Sequence, residues 1–210
     1  MKKIILLCML VFFLTGCVSI KQDNISSIIS KALNTSVQTK NVNRNGYRYY
    51  VPRGLKVKTS NSFNEIITNN EFMFYLYVDI VSFNNKTDFS YNINDKAYFS
   101  EFFYKDNKKG FVEINNYKND QYIIEIMYNY AKIEVIGYED DINNIVSYAI
   151  VILSSITYND NVIANYLSNE TYSTFDEEFD IFEIIGSDNY LHFTDEEDSK
   201  EDEKDPDYIK

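Results

Sequence analysis

The residues of this chain that could do acid–base chemistry are carboxylates. Glu101, Glu113, Glu125 and Glu134 each fall within a stretch that reads as strand. Two carboxyl groups facing each other in a cleft can cleave a glycosidic bond, at a separation of about 5 Å or about 6.5–9.5 Å according to mechanism. Alternation also allows a plainer role, in which these acids form the solvated side of strands whose other side is buried. Other chemistries are short of parts. The one histidine, His192, lies in an acidic terminal stretch, and the two cysteines, Cys8 and Cys17, both lie near the start. A Cys–His pair in the body, a Ser–His–Asp set and a zinc site of thiolates and imidazoles therefore lack their members. The 6 glycines show neither Gly-x-Gly-x-x-Gly nor Gly-x-x-x-x-Gly-Lys spacing, which removes nucleotide binding through such loops. No cofactor and no metal is expected.

Cys17 has a different chemistry. Lys2 and Lys3 precede an apolar run from Ile4 to Leu14, and Thr15, Gly16 and Cys17 follow. A positive start, an apolar centre and small residues at a cut site make a secretory signal. As a helix the run spans roughly 16 Å, against a hydrocarbon core of ~30 Å, so it is too short to serve as a comfortable transmembrane segment. Leu14-Thr15-Gly16-Cys17 resembles the lipobox of bacterial lipoproteins. In that family the cysteine carries a diacylglyceryl thioether and becomes the new N-terminus after cleavage. The resemblance implies a signal peptide over 1–16, lipidation at Cys17, and a protein held on the extracytoplasmic face of the cell membrane by its acyl chains. With Cys8 removed and Cys17 modified, no disulfide is expected.

Charge is distributed unevenly. The chain carries a formal net charge of −12, yet residues 170–210 alone hold 16 acids against 3 bases. Between Asp23 and Glu65 there is no acid at all, and that stretch contains Lys31, Lys40, Arg44, Arg48, Arg53, Lys56 and Lys58. Basic side chains close to a membrane gain ~1 kcal/mol each against anionic head groups. Arg44, Arg48, Arg53, Lys56 and Lys58 are accordingly the candidate contacts to an anionic surface or wall polymer. An exported, acidic chain is a poor nucleic-acid binder.

The elements that would position these groups follow from periodicity. Asn24 is placed to cap a short helix to about Leu33, with Ile25, Ile28, Ile29 and Leu33 on one stripe. Residues 34–46 read as loop. Strands are expected over 47–51 and 55–58, and 63–67 fits either a strand or a helical turn. Phe72 to Ile80 alternates strictly, with Phe72, Phe74, Leu76, Val78 and Ile80 on one face. Residues 84–95 read as polar loop. Ala97 to Tyr104 and Phe111 to Ile114 form one hairpin, and Tyr122 to Tyr128 and Ala131 to Ile136 a second, turned at Asn129-Tyr130 and closed by Gly137. Glu125, Lys132 and Glu134 interrupt their apolar neighbours, which points to a sheet with one face in water. Asp140 or Asp141 caps a helix to about Ser155, whose stripe of Ile142, Ile145, Val146, Ala149, Ile150 and Leu153 suits the buried sheet face. A weaker helix covers 159–167. Phe175, Phe179, Phe182 and Ile185 sit at helical spacing among acids, and the last residues are too polar to fold.

The fold class is therefore α+β: a curled antiparallel sheet of about five to seven strands, a long C-terminal helix on one face, a short N-terminal helix and an acidic tail. The segments are 1–16 (signal), 17–46 (lipidated linker and short helix), 47–169 (sheet and helix domain) and 170–210 (tail). The order of elements over Tyr47–Tyr158 resembles the PsbP-like fold. Segments such as Val51-Pro52-Arg53-Gly54-Leu55-Lys56-Val57, Met127-Tyr128-Asn129-Tyr130-Ala131-Lys132 and Ile152-Leu153-Ser154-Ser155-Ile156 are similar to uncharacterised lipoproteins of low-GC Gram-positive bacteria. That likeness implies location, not activity; the basic stretch, the aromatic sheet face and the acidic tail suit a protein or anionic wall polymer as partner. The functional expectation is a non-enzymatic binding or assembly module; the alternative is a carboxylate-based hydrolase of cell-wall glycans.

Overall fold

The computed structural model describes residues 25–35 and 39–169. The signal, Cys17, Asn24, His192 and the acidic tail lie outside them. The body is α+β, built on a seven-stranded antiparallel sheet with a second sheet of three short strands. Its elements are α1 (Ile25–Asn34), β1 (Val42–Asn43), β2 (Tyr47–Tyr49), β3 (Lys56–Asn61), β4 (Asn64–Thr68), β5 (Met73–Val78), α2 (Ile80–Asn85), β6 (Phe99–Lys105), β7 (Lys108–Asn116), β8 (Gln121–Tyr128), β9 (Ala131–Tyr138), a 3-10 turn (Glu139–Asp141), α3 (Ile142–Ser155), β10 (Thr157–Tyr158) and α4 (Asp160–Asn169). The large sheet runs β3-β4-β5-β9-β8-β7-β6, and the small one β1-β2-β10.

The hydrophobic pattern fixes the register. Leu76, Ile133, Ile126 and Val112 stand opposite one another across four strands, and all are buried in the core. With Phe74, Val135, Ile124 and Ile114 they form the inner face. Helix α3 lies against β8 and β9 on this side, burying Ile145, Val146, Ala149, Ile150 and Leu153 completely. Helix α1 packs on α3 through Ile29 and Ala32. Isolated, a ten-residue helix would not persist; here the neighbouring helix supplies its apolar partner.

Two hairpin turns hold the central strands in place. Asp106-Asn107 and Asn129-Tyr130 all have positive φ, between 52° and 62°. This is the geometry of a two-residue turn whose twist matches the strands it joins. Gly110 is needed for a different reason: a Cβ there would lie 2.5 Å from the Met127 carbonyl and 2.7 Å from the Phe103 ring. The gap lets Phe103 reach across to stack on Tyr128 at 5.7 Å.

Several expectations need correction. The alternating strand ends at Val78, because Asp79 turns its carboxylate back to accept from the Ser82 amide at 2.8 Å and so caps α2. Alternation continues by chance through a capping residue. Gly137 does not close the hairpin but pairs with Tyr122 inside β9; a Cβ there would come within 2.3 Å of Ile145 Cδ1, so it permits the close approach of α3. Asp141 occupies the cap position of α3 without a side-chain bond, because the 3-10 turn before it supplies the start. Residues 42–43 and 157–158, too short for periodicity to reveal, pair with β2. The ambiguous stretch at 63–67 contains a strand, β4.

The largest correction concerns the outer face. Glu125, Lys132 and Glu134 are buried rather than solvated, and Glu113 is buried with them. The sheet is covered on both sides.

Helix α3 predicts the simplest test of this packing. Ile150 is fully buried, so Ile150→Asp would place an unpaired carboxylate in the core. Circular dichroism should then show no cooperative melt; a melt like that of the parent would refute the packing of α3.

Candidate functional site

The buried acids form a row. Register places Glu113 opposite Glu125 and Glu125 opposite Glu134, on adjacent strands β7, β8 and β9. Directly paired side chains have Cβ atoms about 4.5–5.5 Å apart. Lys132, two residues from Glu134 on the same face, lies 2.8 Å from Glu134 Oε1 and 3.8 Å from Glu125 Oε1. Glu113 is held by three donors. The Tyr91 hydroxyl donates to its Oε2 at 2.6 Å, and the amides of Asn94 and Asn115 donate to its Oε1 at 2.9 Å each. Glu101 stands apart on the other face of β6, where it accepts from the Ser26 hydroxyl of α1. Of the four acids picked out by spacing, three come together and one does not.

Two of the three donors to Glu113 belong to the segment between α2 and β6. Tyr91 also lies flat on Phe111, with ring centroids 4.2 Å apart and planes 7° from parallel. Its hydroxyl is 2.7 Å from Ser100 Oγ, which in turn accepts from the Asn94 amide. The acid row is thus the anchorage of a long surface loop. Burial, then the bond to Glu113, raises the Tyr91 pKa above its ordinary value, which keeps the phenol a donor.

That loop builds an open groove of about 380 Å³ on the outer face, lined by Asp88, Phe89, Ser90, Tyr91, Phe102 and Lys109. A smaller hollow of about 90 Å³ adjoins it, sharing Asp88, Phe89 and Lys109 and reaching Asn107, Asn129 and Tyr130 at the hairpin tips. Lys109 Nζ bridges to Asp88 Oδ1 at 2.5 Å across the junction. Phe102 is 39% exposed and Tyr104, beyond it on the same face of β6, is 59% exposed.

A larger hollow of about 640 Å³ lies between the β1–β2 turn and the start of α4, lined by Arg44, Arg48, Thr157 and several asparagines. Its rings are Tyr47, which is buried, and Tyr158, which is half-buried and stacked on Phe83 with centroids 3.9 Å apart. Arg44 is committed inward: its Nε and Nη2 donate to Glu65 Oε2 at 3.0 and 2.5 Å, and Tyr47 donates to Glu65 Oε1 at 2.9 Å. Burial by itself lowers the Arg44 pKa, and the bond to Glu65 outweighs that and leaves it raised. Arg48, Arg53, Lys56 and Lys58 are exposed. Arg48 shares a positive neighbourhood with Lys40 and Lys108: after burial, the charges of Arg48 and Lys108 lower the Lys40 pKa.

Sequence spacing could find neither Glu65 nor the loop donors. Glu65 lies in the stretch whose structure spacing left ambiguous, and Tyr91 and Asn94 lie in a segment without period. The one available signal was a pair of aromatics, Phe89 and Tyr91, two residues apart in an otherwise polar loop.

Among the described residues no group of three or more His, Cys, Asp or Glu side chains is arranged to hold a metal ion, so the acid row does not converge on a point. No helix among them is long and apolar enough to cross a membrane. No protein-family model matches the chain, and no curated protein matches it at a significant level.

Two measurements check this geometry. Glu113→Ala removes the acceptor of two loop donors and should cost roughly 2–4 kcal/mol, with faster amide hydrogen exchange across residues 88–95. Unchanged exchange there would mean the loop is fastened by something else. The second is alkaline titration. Burial first, and then neighbouring carboxylates, raise Tyr47, Tyr49 and Tyr91 above their ordinary value, and burial with Asp106 pushes Tyr128 up to about 12. A phenol whose folded pKa lies above its unfolded value of about 10 stabilises the fold in full below pH ~10 and loses that contribution as pH rises through the folded pKa. Phenolate absorbance should therefore rise in two steps, exposed tyrosines first and a late step coincident with unfolding. A single step near pH 10 with the fold intact would contradict the buried hydroxyls.

Proposed function

We propose that this protein is a lipoprotein anchored through Cys17 on the extracytoplasmic face of a bacterial cell membrane, where it binds a ligand or partner rather than transforming one. The observation that carries the reading is the state of Glu113. It is buried and its oxygens are occupied by Tyr91, Asn94 and Asn115. A general acid or nucleophile has to meet substrate; this carboxylate is spent on holding a loop. Lys132 lies 2.8 Å from Glu134 Oε1 and 3.8 Å from Glu125 Oε1 and so offsets the charge of the next two acids in the row. The loop so held forms one wall of an open groove, which is the arrangement of a binding surface on a rigid scaffold.

The exposed Arg48, Arg53, Lys56 and Lys58 support an orientation in which basic side chains meet anionic head groups or an anionic wall polymer. Arg44 contributes less, because Glu65 offsets its charge. The second reading, a hydrolase acting on wall glycans, draws on the register that sets Glu113 beside Glu125 and Glu125 beside Glu134. A retaining glycosidase places its carboxyls about 5 Å apart, but it opens them to sugar and water.

Mass spectrometry of the mature protein from membranes should find an acylated Cys17 at the N-terminus. The same preparation, incubated with purified wall glycan, should release no new reducing ends. An uncleaved leader would overturn the placement, and reducing ends that disappear in Glu125→Gln would establish the hydrolase.

A further inference from the structure

The groove on the outer face has a mixed lining that narrows its ligand. One wall is the partly exposed ring of Phe102, on the edge strand β6. Facing it are Phe89 and Tyr91 of the loop, Tyr91 fixed by its stack on Phe111 and its bond to Glu113. Between the rings and the hairpin tips sits the Lys109–Asp88 pair, half exposed on the lysine side and well exposed on the other. The continuation past Phe89 reaches the exposed Asn107 amide; Asn129, which also borders it, is buried with its Nδ2 donating to the Ile156 carbonyl.

We infer that this groove is a binding site for a short stretch of saccharide chain. The inference rests on the reading of the protein as an extracytoplasmic binding module and names the ligand class of that site. A pyranose presents an apolar C–H face on one side and hydroxyls around its rim. It needs a flat ring to lie on and, within a few ångströms, both a charged donor and a charged acceptor for the hydroxyls. Phe102 and Phe89 supply rings, Lys109 the donor, and Asp88 the acceptor. The hydrogen bond from Lys109 holds the Asp88 carboxyl below its ordinary pKa, so the carboxylate stays an acceptor at neutral pH. The Asn107 amide, in the adjoining hollow that shares Asp88, Phe89 and Lys109 with the groove, extends the same chemistry to a second sugar unit. Total volume also fits: about 380 Å³ with about 90 Å³ adjoining lies in the range of small-ligand sites.

Other occupants fit less well. A lipid chain or an apolar peptide side chain needs an enclosed slot, and this groove is open with an ion pair at its middle. A phosphate-rich polymer would meet the Asp88 carboxylate in the groove, whereas Arg48 and Lys40 lie outside its lining. Preorganisation favours a rigid ligand: the loop wall is already held by Glu113 and Ser100, so little ordering opposes binding.

The test uses the folded, soluble body of the full chain without its acyl group, with two named sugars: the β-1,4-linked tetramer of N-acetylglucosamine and the β-1,4-linked tetramer of glucose. Nuclear magnetic resonance titration should show saturable shifts at residues 88–91, 102 and 107–109 with at least one of them. Phe102→Ala should weaken that binding tenfold or more, and Lys109→Met several-fold, while Arg48→Ala leaves it unchanged. Phe102 and Lys109 are partly exposed, and circular dichroism of each variant confirms that the fold is retained. No saturable shifts with either tetramer, or binding that survives Phe102→Ala, overturns the inference. So does binding at this groove of an extended peptide control in preference to both sugars. These failures are distinct from failure of the broader reading: a protein with acylated Cys17 that releases no reducing ends and ignores both tetramers keeps its placement and loses only this ligand. Cleavage of a bound tetramer would do the opposite.

Discussion

The structure depends on one electrostatic constraint: charged side chains lie in the middle of a sheet that is covered on both faces. Removing an ionised carboxylate from water costs several kcal/mol unless donors replace the lost hydration. Glu113, Glu125 and Glu134 stand in register on three adjacent strands, so their mutual repulsion adds to that cost. Lys132 lies between two of them and three uncharged donors serve the third. Two of those donors come from a loop with no secondary structure of its own. The strands can therefore bury their acids only with the loop in position, and the loop has its strongest fastening in the acids.

The inner side repeats the device once. Glu65 on β4 is fully buried and receives Arg44 and Tyr47 from the β1–β2 unit. The small sheet is thereby tied to the large one by a charge that has no other way to be satisfied. Here the apolar contribution is larger, because α3 and α1 bury a continuous aliphatic surface against β8 and β9. The Glu65 cluster chooses where the small sheet sits; the aliphatic core supplies most of the free energy that keeps it there.

These two fastenings divide the surface by function. Exposed Arg48, Arg53, Lys56 and Lys58 belong to the acid-free stretch between Asp23 and Glu65. The groove beside Phe102 is built by the loop on the outer face. Strands held by packing and a loop fastened to them keep the groove walls fixed relative to one another. The buried acids serve that rigidity.

Much of the architecture was legible in the residues themselves. Period-two alternation in Phe72–Val78 and the Asn129-Tyr130 turn located strands, and the stripe from Ile142 to Leu153 located the helix, because those signals are local. The lipobox-like segment Leu14–Cys17 is a local signal of the same kind and lies outside the described residues. What the sequence could not determine was the environment of the outer face. Glu125, Lys132 and Glu134 look solvated in one dimension, since a polar residue between apolar ones has the same pattern whether water or a loop lies above it. Only the tertiary structure decided that these charges are buried, and over Glu113 it does so by bringing in Tyr91 and Asn94 from some twenty residues away. Hydrogen bonds between segments without periodicity leave no repeat to read, and they are what separates an acid that anchors a loop from one that faces water.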